Sequence, residues 1–351
     1  MRRRIVIMAG GTGGHVFPAL AVADSLLEKG WQVSWLGTQK GLESRVIPEN
    51  GIEIDWLSVA GVRGKGLTSK ITAVVMLFKA CIQALTILRR RKPDVVLGMG
   101  GFVAGPGGLM AKLLGIPLII HEQNRVPGTT NRLLARMANQ VLEAFPGSFN
   151  KKYKAKFTGN PLRKQFLTAL EGKSRQSGQS ARILVFGGSQ GARILNEVVP
   201  EAIAELNDVQ IKHQTGVAMC EQVNSRYKTL GVDAEVHAFI DDMVSAYQWA
   251  DMVICRSGAM TVTEIAAMAV PAIFIPLPGA IDDHQTANAR YLTDAGAGQI
   301  LMQKNLNAKS LAEHITQVLG QLDIMGKAAK QCARLDATEV VAGCCIAEAG
   351  L

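Results

Sequence analysis

The chain has 351 residues, a length that suits two domains, and its 48% apolar and 19% charged residues exclude a disordered polymer. Six cysteines (Cys81, Cys220, Cys255, Cys332, Cys344 and Cys345) form no CxxC pairing, and no histidines stand at ligand spacing; this excludes a disulfide framework and a zinc module and reads as reduced, mostly buried thiols. The net charge of +9 is uneven, with 22 Lys and Arg against 9 Asp and Glu in residues 1–157 and 16 against 20 in residues 158–351, so an anionic ligand or surface is expected on the first half only.

The basic start, Met1 to Arg4, leads into an apolar run of only about five residues, short of a secretory h-region of roughly 7–15. It reads as a first buried strand, residues 4–9, of a protein that stays inside the cell. A glycine turn at 10–14 and a helix over 15–30 follow, then a strand at 32–36. Glycines at such a turn let the backbone approach a ligand, and the helix N-terminus offers unpaired N–H groups and the positive end of its dipole. A dinucleotide-binding oxidoreductase wants an acid at the end of the second strand. Here Gly37, Thr38, Gln39 and Lys40 follow, with no acid before Glu43. No Gly-Lys-Ser/Thr completes a Walker loop at any glycine cluster, which disfavours a P-loop kinase. His15, directly after the turn, is either a solvent-exposed or capping histidine or a general base for a hydroxyl proton.

Residues 71–88 form an apolar helix whose polar members are Thr72, Lys79, Gln83 and Thr86. Residues 63–92 carry eight basic side chains and no acid. A membrane span needs ~20 apolar residues, and a central lysine costs ~2.5–3.5 kcal/mol. Two readings stand: a crossover helix packed only on the sheet, or one whose outer face also lies on anionic lipid. A strand at 94–97, a glycine-rich loop at 98–108 and a helix from 109 to 114 come next.

The strand–glycine–helix unit restarts at 182–186, 187–191 and 192–206, so the fold class is α/β, two Rossmann-like doubly wound parallel-sheet domains. Between them, residues 171–180 are polar, and the boundary lies between 157 and 181. Ser189, in the second glycine loop, adds a hydroxyl donor for a phosphate. After a strand at 252–255, residues 256–264 start another helix, with Ser257 as an expected cap. Glu264 lies on the face of Met260 and Thr261 and suits two ribose hydroxyls. Asp282, Asp283, His284, Gln285 and Asn288 form a polar cluster for reading sugar hydroxyls. No Asp-x-Asp occurs, so the diphosphate charge is expected to be met by helix ends and arginine.

Eight blocks, in order, carry a resemblance that runs end to end: MAGGTGGHVFPALAVA, KPDVVLGMGGFVAGPGG, HEQN, GNPLR, GGSQGAR, FIDDM, RSGAMTVTEIA and DDHQTANA. With them the sequence resembles the MurG family, the UDP-N-acetylglucosamine–N-acetylmuramyl-(pentapeptide) pyrophosphoryl-undecaprenol N-acetylglucosaminyltransferases of peptidoglycan synthesis. The resemblance implies a GT-B fold with the two domains facing across a cleft. Residues 1–157 would face acceptor and membrane, 158–336 would bind the UDP-sugar, and a C-terminal helix from about 337 to 351 would cross back to the first domain. It implies an inverting, metal-independent transfer from UDP-GlcNAc to undecaprenyl-pyrophosphoryl-MurNAc-pentapeptide. No cofactor and no nucleic acid are implied, and the place is the cytoplasmic face of the bacterial inner membrane, beside anionic lipid and proteins of a cell-wall synthesis or division complex.

Residue by residue, uracil would be read by backbone near Ile240, ribose by Glu264, and phosphates by Ser189, Thr261 and Arg163. The GlcNAc hydroxyls would meet Ala259, Asn124 and Gln285, with Met260, Val262 and Thr263 in the same donor segment. Thr12, Gly13 and Gly14 would touch donor or acceptor, and Gly11, Gly100 and Gly101 would line the acceptor diphosphate. His284 stands where the family sometimes has glutamine, which leaves that contact open. His15 would be the catalytic base, with Glu122 as second choice, and Ile71, Val75, Phe78, Lys79, Ile82, Arg89, Arg90 and Arg91 would touch the membrane. A nicotinamide dehydrogenase and a non-catalytic lipid-surface scaffold are the competing readings.

Overall fold

The computed structural model describes residues 2–59, 67–169, 180–188, 191–279 and 281–350, with the side chains of residues 67–73 and Ile281 outside the description. The chain divides into two compact units, Met1–Arg163 with Arg334–Leu351, and Lys164–Ala333.

In the first unit the strands are β1 (Arg4–Met8), β2 (Gln32–Gly37), β3 (Glu53–Trp56), β4 (Val95–Gly98), β5 (Leu118–Glu122), β6 (Gln140–Glu143) and β7 (Lys156–Phe157). Its helices are α1 (Gly13–Glu28), α2 (Glu43–Glu49), α3 (Leu67–Arg91), α4 (Ala104–Leu113) and α5 (Thr129–Leu134). The sheet is parallel throughout, in the order β3-β2-β1-β4-β5-β6-β7. Successive side chains of a strand point to opposite faces, and each face here has its own core. Ile5, Ile7, Val95 and Leu97 pack with α1 residues such as Val16 and Leu26, whereas Val6, Met8, Val96 and Ile120 pack with Ala84 and Leu88 of α3 and Met110 of α4. Both faces are covered, as a parallel sheet requires.

The second unit has α6 (Lys164–Thr168), β8 (Ala181–Phe186), α7 (Arg193–Ala204), β9 (Val209–Gln214), α8 (Cys220–Thr229), β10 (Ala234–His237) and α9 (Met243–Trp249). It continues with β11 (Met252–Cys255), α10 (Ala259–Ala267), β12 (Ala272–Phe274), α11 (His284–Thr293), β13 (Gly298–Ile300), α12 (Ala308–Leu319) and α13 (Leu322–Cys332). Its parallel sheet runs β10-β9-β8-β11-β12-β13. Ile183, Val185, Ile211 and Ile254 face a core with Leu195 and Ile315, while Leu184, Phe186, Val253 and Phe274 are buried on the other side. The last helix, α14 (Ala337–Glu348), belongs to the first unit, where Val341, Ala342 and Cys345 join the α1 core.

Several elements differ from their expected bounds, α3 by running past 71–88 at both ends. Helix α1 begins inside the glycine turn, at Gly13. Helix α4 begins at Ala104 and takes in Gly105, Gly107 and Gly108, which were expected in a loop. The reason is packing: a Cβ on Gly107 would stand 2.2 Å from the sulfur of Met8, so glycine there lets the helix press onto β1. All six cysteines are free; Cys255, Cys344 and Cys345 are buried and the others half-buried.

Candidate functional site

In each sheet the chain reverses its direction of growth between two adjacent strands, β1/β4 in the first unit and β8/β11 in the second. Open parallel sheets bind ligands at the carboxyl ends of such strands, because the following loops diverge there. The glycine segments fall at these points.

In the first unit the turns after β1 and β4 interlock. Gly101 has a φ of 79°, and a Cβ on it would lie 2.5 Å from the Gly10 carbonyl oxygen, so only glycine permits this approach. His15, in the first turn of α1, lies over Gly100, whose added Cβ would stand 3.0 Å from the imidazole. Thr12 is the N-cap of α1 and is exposed, with no side-chain capping bond. The Gly11 amide donates to the buried carboxylate of Glu43 at 2.9 Å, and Thr38 gives that carboxylate its backbone amide and hydroxyl. Nothing local in the sequence singled out Glu43 beyond its being too late for a ribose acid.

The segment after β5 supplies the other wall. His15 Nδ1 is 2.7 Å from the amide oxygen of Gln123, and the amide nitrogen of Gln123 is 3.0 Å from Nδ1 of His121. Both partners are buried, and burial pushes His121 down to about 4. These two residues were visible only as members of the HEQN block. Glu122, the second-choice base, is 2% exposed and accepts four bonds, from the Asn124 amide and side chain, the Gly128 amide and Asn131. Its lone pairs are committed to holding Asn124 and the start of α5, which suits a structural carboxylate. Asn124 is brought to this wall, but both its amide groups are engaged by Glu122. Arg163 also belongs to the first unit, stacked 5.2 Å from the ring centre of Phe17 of α1, near the turn of Gly13 and Gly14.

In the second unit Gly258 is the N-cap of α10 and no side chain caps it; the Ser257 hydroxyl is buried without a hydrogen-bond partner, so the expected Ser257 cap does not form. Within the donor segment the helical period divides the residues. Ala259, Val262 and Thr263 are buried, Thr263 bonding back to the Ala259 carbonyl, while Met260, Thr261 and Glu264 are half-buried. The side chains of Val262 and Thr263 are therefore turned into the core, and the Val262 amide is taken by the Gly258 carbonyl. Glu264 accepts the Tyr247 hydroxyl at 3.2 Å. Gln214 ties the glycine loop to the Ile240 segment: its amide donates to the Gly188 carbonyl at 3.0 Å and its oxygen accepts the Ile240 amide at 2.8 Å. A pocket of about 570 Å³ has Gly187, Gly191, Arg256, Leu277, Gln285 and Gln303 in its lining. Gln285 accepts the Leu277 amide, and Arg256, its pKa lowered by burial, holds the Ile275 and Pro276 carbonyls and Gln303. Ser189 lies outside the described residues. Among the described residues no cluster of His, Cys, Asp and Glu could hold a metal ion.

Helix α3 buries Ala80, Ala84, Ile87 and Leu88 and exposes Val74, Val75, Leu77, Phe78 and Ile82, beside exposed Phe102, Leu109 and Leu113 of the α4 region. Lys79 and Arg89 are exposed as well; the side chain of Ile71 lies outside the described residues. Arg90 and Arg91 are both paired with acids. Arg90 pairs with Asp55, and Arg91 pairs with Asp55 at 2.7 Å and with Glu53. The acid-free segment meets its acids on β3, which a local charge count does not see. No described helix is long and apolar enough to cross a membrane.

Residues 5–143 match the glycosyltransferase family 28 N-terminal domain, and residues 182–339 match the glycosyltransferase family 28 C-terminal domain. The chain is 59% identical over 355 residues to the UDP-N-acetylglucosamine–N-acetylmuramyl-(pentapeptide) pyrophosphoryl-undecaprenol N-acetylglucosamine transferase of Methylococcus capsulatus, covering 100% of both chains. The crystal structure of Acinetobacter baumannii MurG is similar with a TM-score of 0.87 at 42% identity, covering 98% of this chain and 99% of that one. The glycotransferase of kitacinnamycin shares the fold, with a TM-score of 0.70 at 17% identity over 97% of this chain and 98% of that one.

Proposed function

The chain belongs to glycosyltransferase family 28, and we propose that it moves N-acetylglucosamine from UDP-GlcNAc to the 4-hydroxyl of undecaprenyl-pyrophosphoryl-MurNAc-pentapeptide, giving a β-linked disaccharide on the lipid. The observation that carries this reading is His15, a half-exposed imidazole tied to a buried amide where two glycine turns meet. It takes the proton of the acceptor hydroxyl as that oxygen attacks the anomeric carbon opposite the departing UDP. Glu122, saturated by four donors, is left with the structural role.

Glu264 takes the ribose hydroxyls, and Thr261 and Ser189 take the phosphates. Charge growing on the leaving diphosphate is met by the N-termini of α7 and α10. Because the Ile240 amide already donates to Gln214, uracil is read by the Ile240 carbonyl. Ala259 and Gln285 take the sugar, and the Gly11 and Gly100–101 turns take the acceptor diphosphate. The exposed apolar face of α3, with Lys79 and Arg89 beside it, rests on anionic lipid at the cytoplasmic face of the inner membrane.

The test is UDP release from UDP-GlcNAc in the presence of EDTA, with and without a lipid-linked muramyl acceptor. Release that requires the acceptor supports the reading; none with both substrates present sinks it, and dependence on added divalent metal overturns the metal-independent mechanism.

A further inference from the structure

Gln123 follows β5, is 1% exposed, and stands between two histidines. Each link of this chain has one permitted direction. Nε2 of His121 lies 3.0 Å from the carbonyl oxygen of Gly159, which only accepts, so Nε2 carries the hydrogen. His121 is fully buried and neutral at pH 7, so its Nδ1 holds a lone pair. The amide nitrogen of Gln123 is 3.0 Å from that Nδ1 and 3.1 Å from the His121 carbonyl oxygen, two acceptors that fix the –NH₂ end on the His121 side. The amide oxygen therefore faces His15 and can only accept, so the hydrogen of His15 sits on Nδ1, 2.7 Å away.

We propose that His121 and Gln123 are positioning residues that hold His15 in the Nδ1–H tautomer, with Nε2 bearing the lone pair that takes the acceptor proton. The inference rests on the reading of His15 as general base. A free imidazole prefers the opposite tautomer, so the relay selects the form whose basic nitrogen points away from the buried wall. On proton uptake Nε2 gains a hydrogen and the Nδ1–H···O bond persists, so the ring need not reorient during turnover. The logic is that of a carboxylate orienting a catalytic histidine, with a neutral amide in the orienting place.

The test reads the tautomer and turnover separately. Nitrogen-15 chemical shifts of His15 in the full-length protein, assigned by comparison with His15→Ala, should show a protonated Nδ1 and an unprotonated Nε2. Gln123→Leu should move the ring toward the reverse pattern and lower kcat roughly 10- to 100-fold with KM for UDP-GlcNAc unchanged. Gln123→Glu keeps an acceptor for His15 and should restore Nδ1–H and most of kcat. Gln123→Leu in the His15→Ala background should cost nothing further, because it acts through His15. A wild-type Nε2–H ring, an unchanged tautomer in Gln123→Leu, or kcat within twofold of wild type would each overturn the relay. Unimpaired turnover in His15→Ala would instead remove the general-base reading while leaving the tautomer measurement to stand or fall on its own.

Discussion

The buried carboxylate of Glu43 accepts the backbone amide of Gly11 at 2.9 Å, across 32 positions of sequence. With the two bonds from Thr38 it fixes the turn on which His15 is mounted. Glu43→Gln replaces one acceptor oxygen by a donor that faces an N–H, so a buried group loses its partner. We expect a loss of about 1–3 kcal/mol in stability and reduced turnover, read by urea unfolding and UDP release. Wild-type values for both would mean that the turn holds its shape without this carboxylate.

His15→Ala should lower turnover by roughly 10²–10⁴-fold with donor affinity little changed, the range expected for one general base. Turnover within a few-fold of wild type would exclude the assignment.

Glu264→Ala should weaken UDP and UDP-GlcNAc alike, because both carry the ribose. A charged hydrogen bond is worth ~1.5–3 kcal/mol, so the dissociation constant should rise roughly 10- to 100-fold by calorimetry. Glu264→Gln still offers Tyr247 an acceptor and separates ligand loss from any loss of stability. Unchanged UDP affinity in both variants would place Glu264 outside the site.

Stability should fall on the acid side. His121 in the first unit and His213 in the second are pushed down by burial to about 4 and about 3, from an ordinary 6.5. Below that value the unfolded chain takes up protons that the folded chain refuses. The contribution is therefore full above pH 6.5 and is lost as pH falls toward the folded values, by about 2 kcal/mol per histidine at pH 5. Urea midpoints between pH 7.5 and pH 5 check this, and a flat profile would contradict it.

Vesicle binding should require anionic lipid and weaken with salt, leaving an apolar remainder. Arg90 and Arg91 are poor probes because their removal also strips Asp55 and Glu53 of partners. Lys79, Arg89 and Lys92 are exposed, and each contributes ~1 kcal/mol near an anionic leaflet. Changing all three to glutamine should cut sedimentation with anionic vesicles roughly tenfold or more. Phe78→Ser with Ile82→Ser should remove the salt-resistant part. Equal binding of all variants would return α3 to a plain core helix.

Strand, turn and helix positions were legible because they depend on near neighbours. Alternation in residues such as Ile5, Val6, Ile7 and Met8 needs only a sheet covered on both faces, and the glycines after β1 and β8 need only a tight turn. The apolar length of α3 and its basic end were equally local. Tertiary structure decided how the polar groups are paired. Parallel crossovers bring the ends of β1, β4 and β5 side by side, and so set His15 against Gln123 across 108 positions. The same crossovers put Glu53 and Asp55 beside Arg90 and Arg91. They also fold the carboxylate of Glu122 into a ring of donors from Asn124, Gly128 and Asn131. A side chain's type sets which bonds it can make; which of them it does make depends on groups that the fold alone brings within 3 Å or so, the reach of a hydrogen bond.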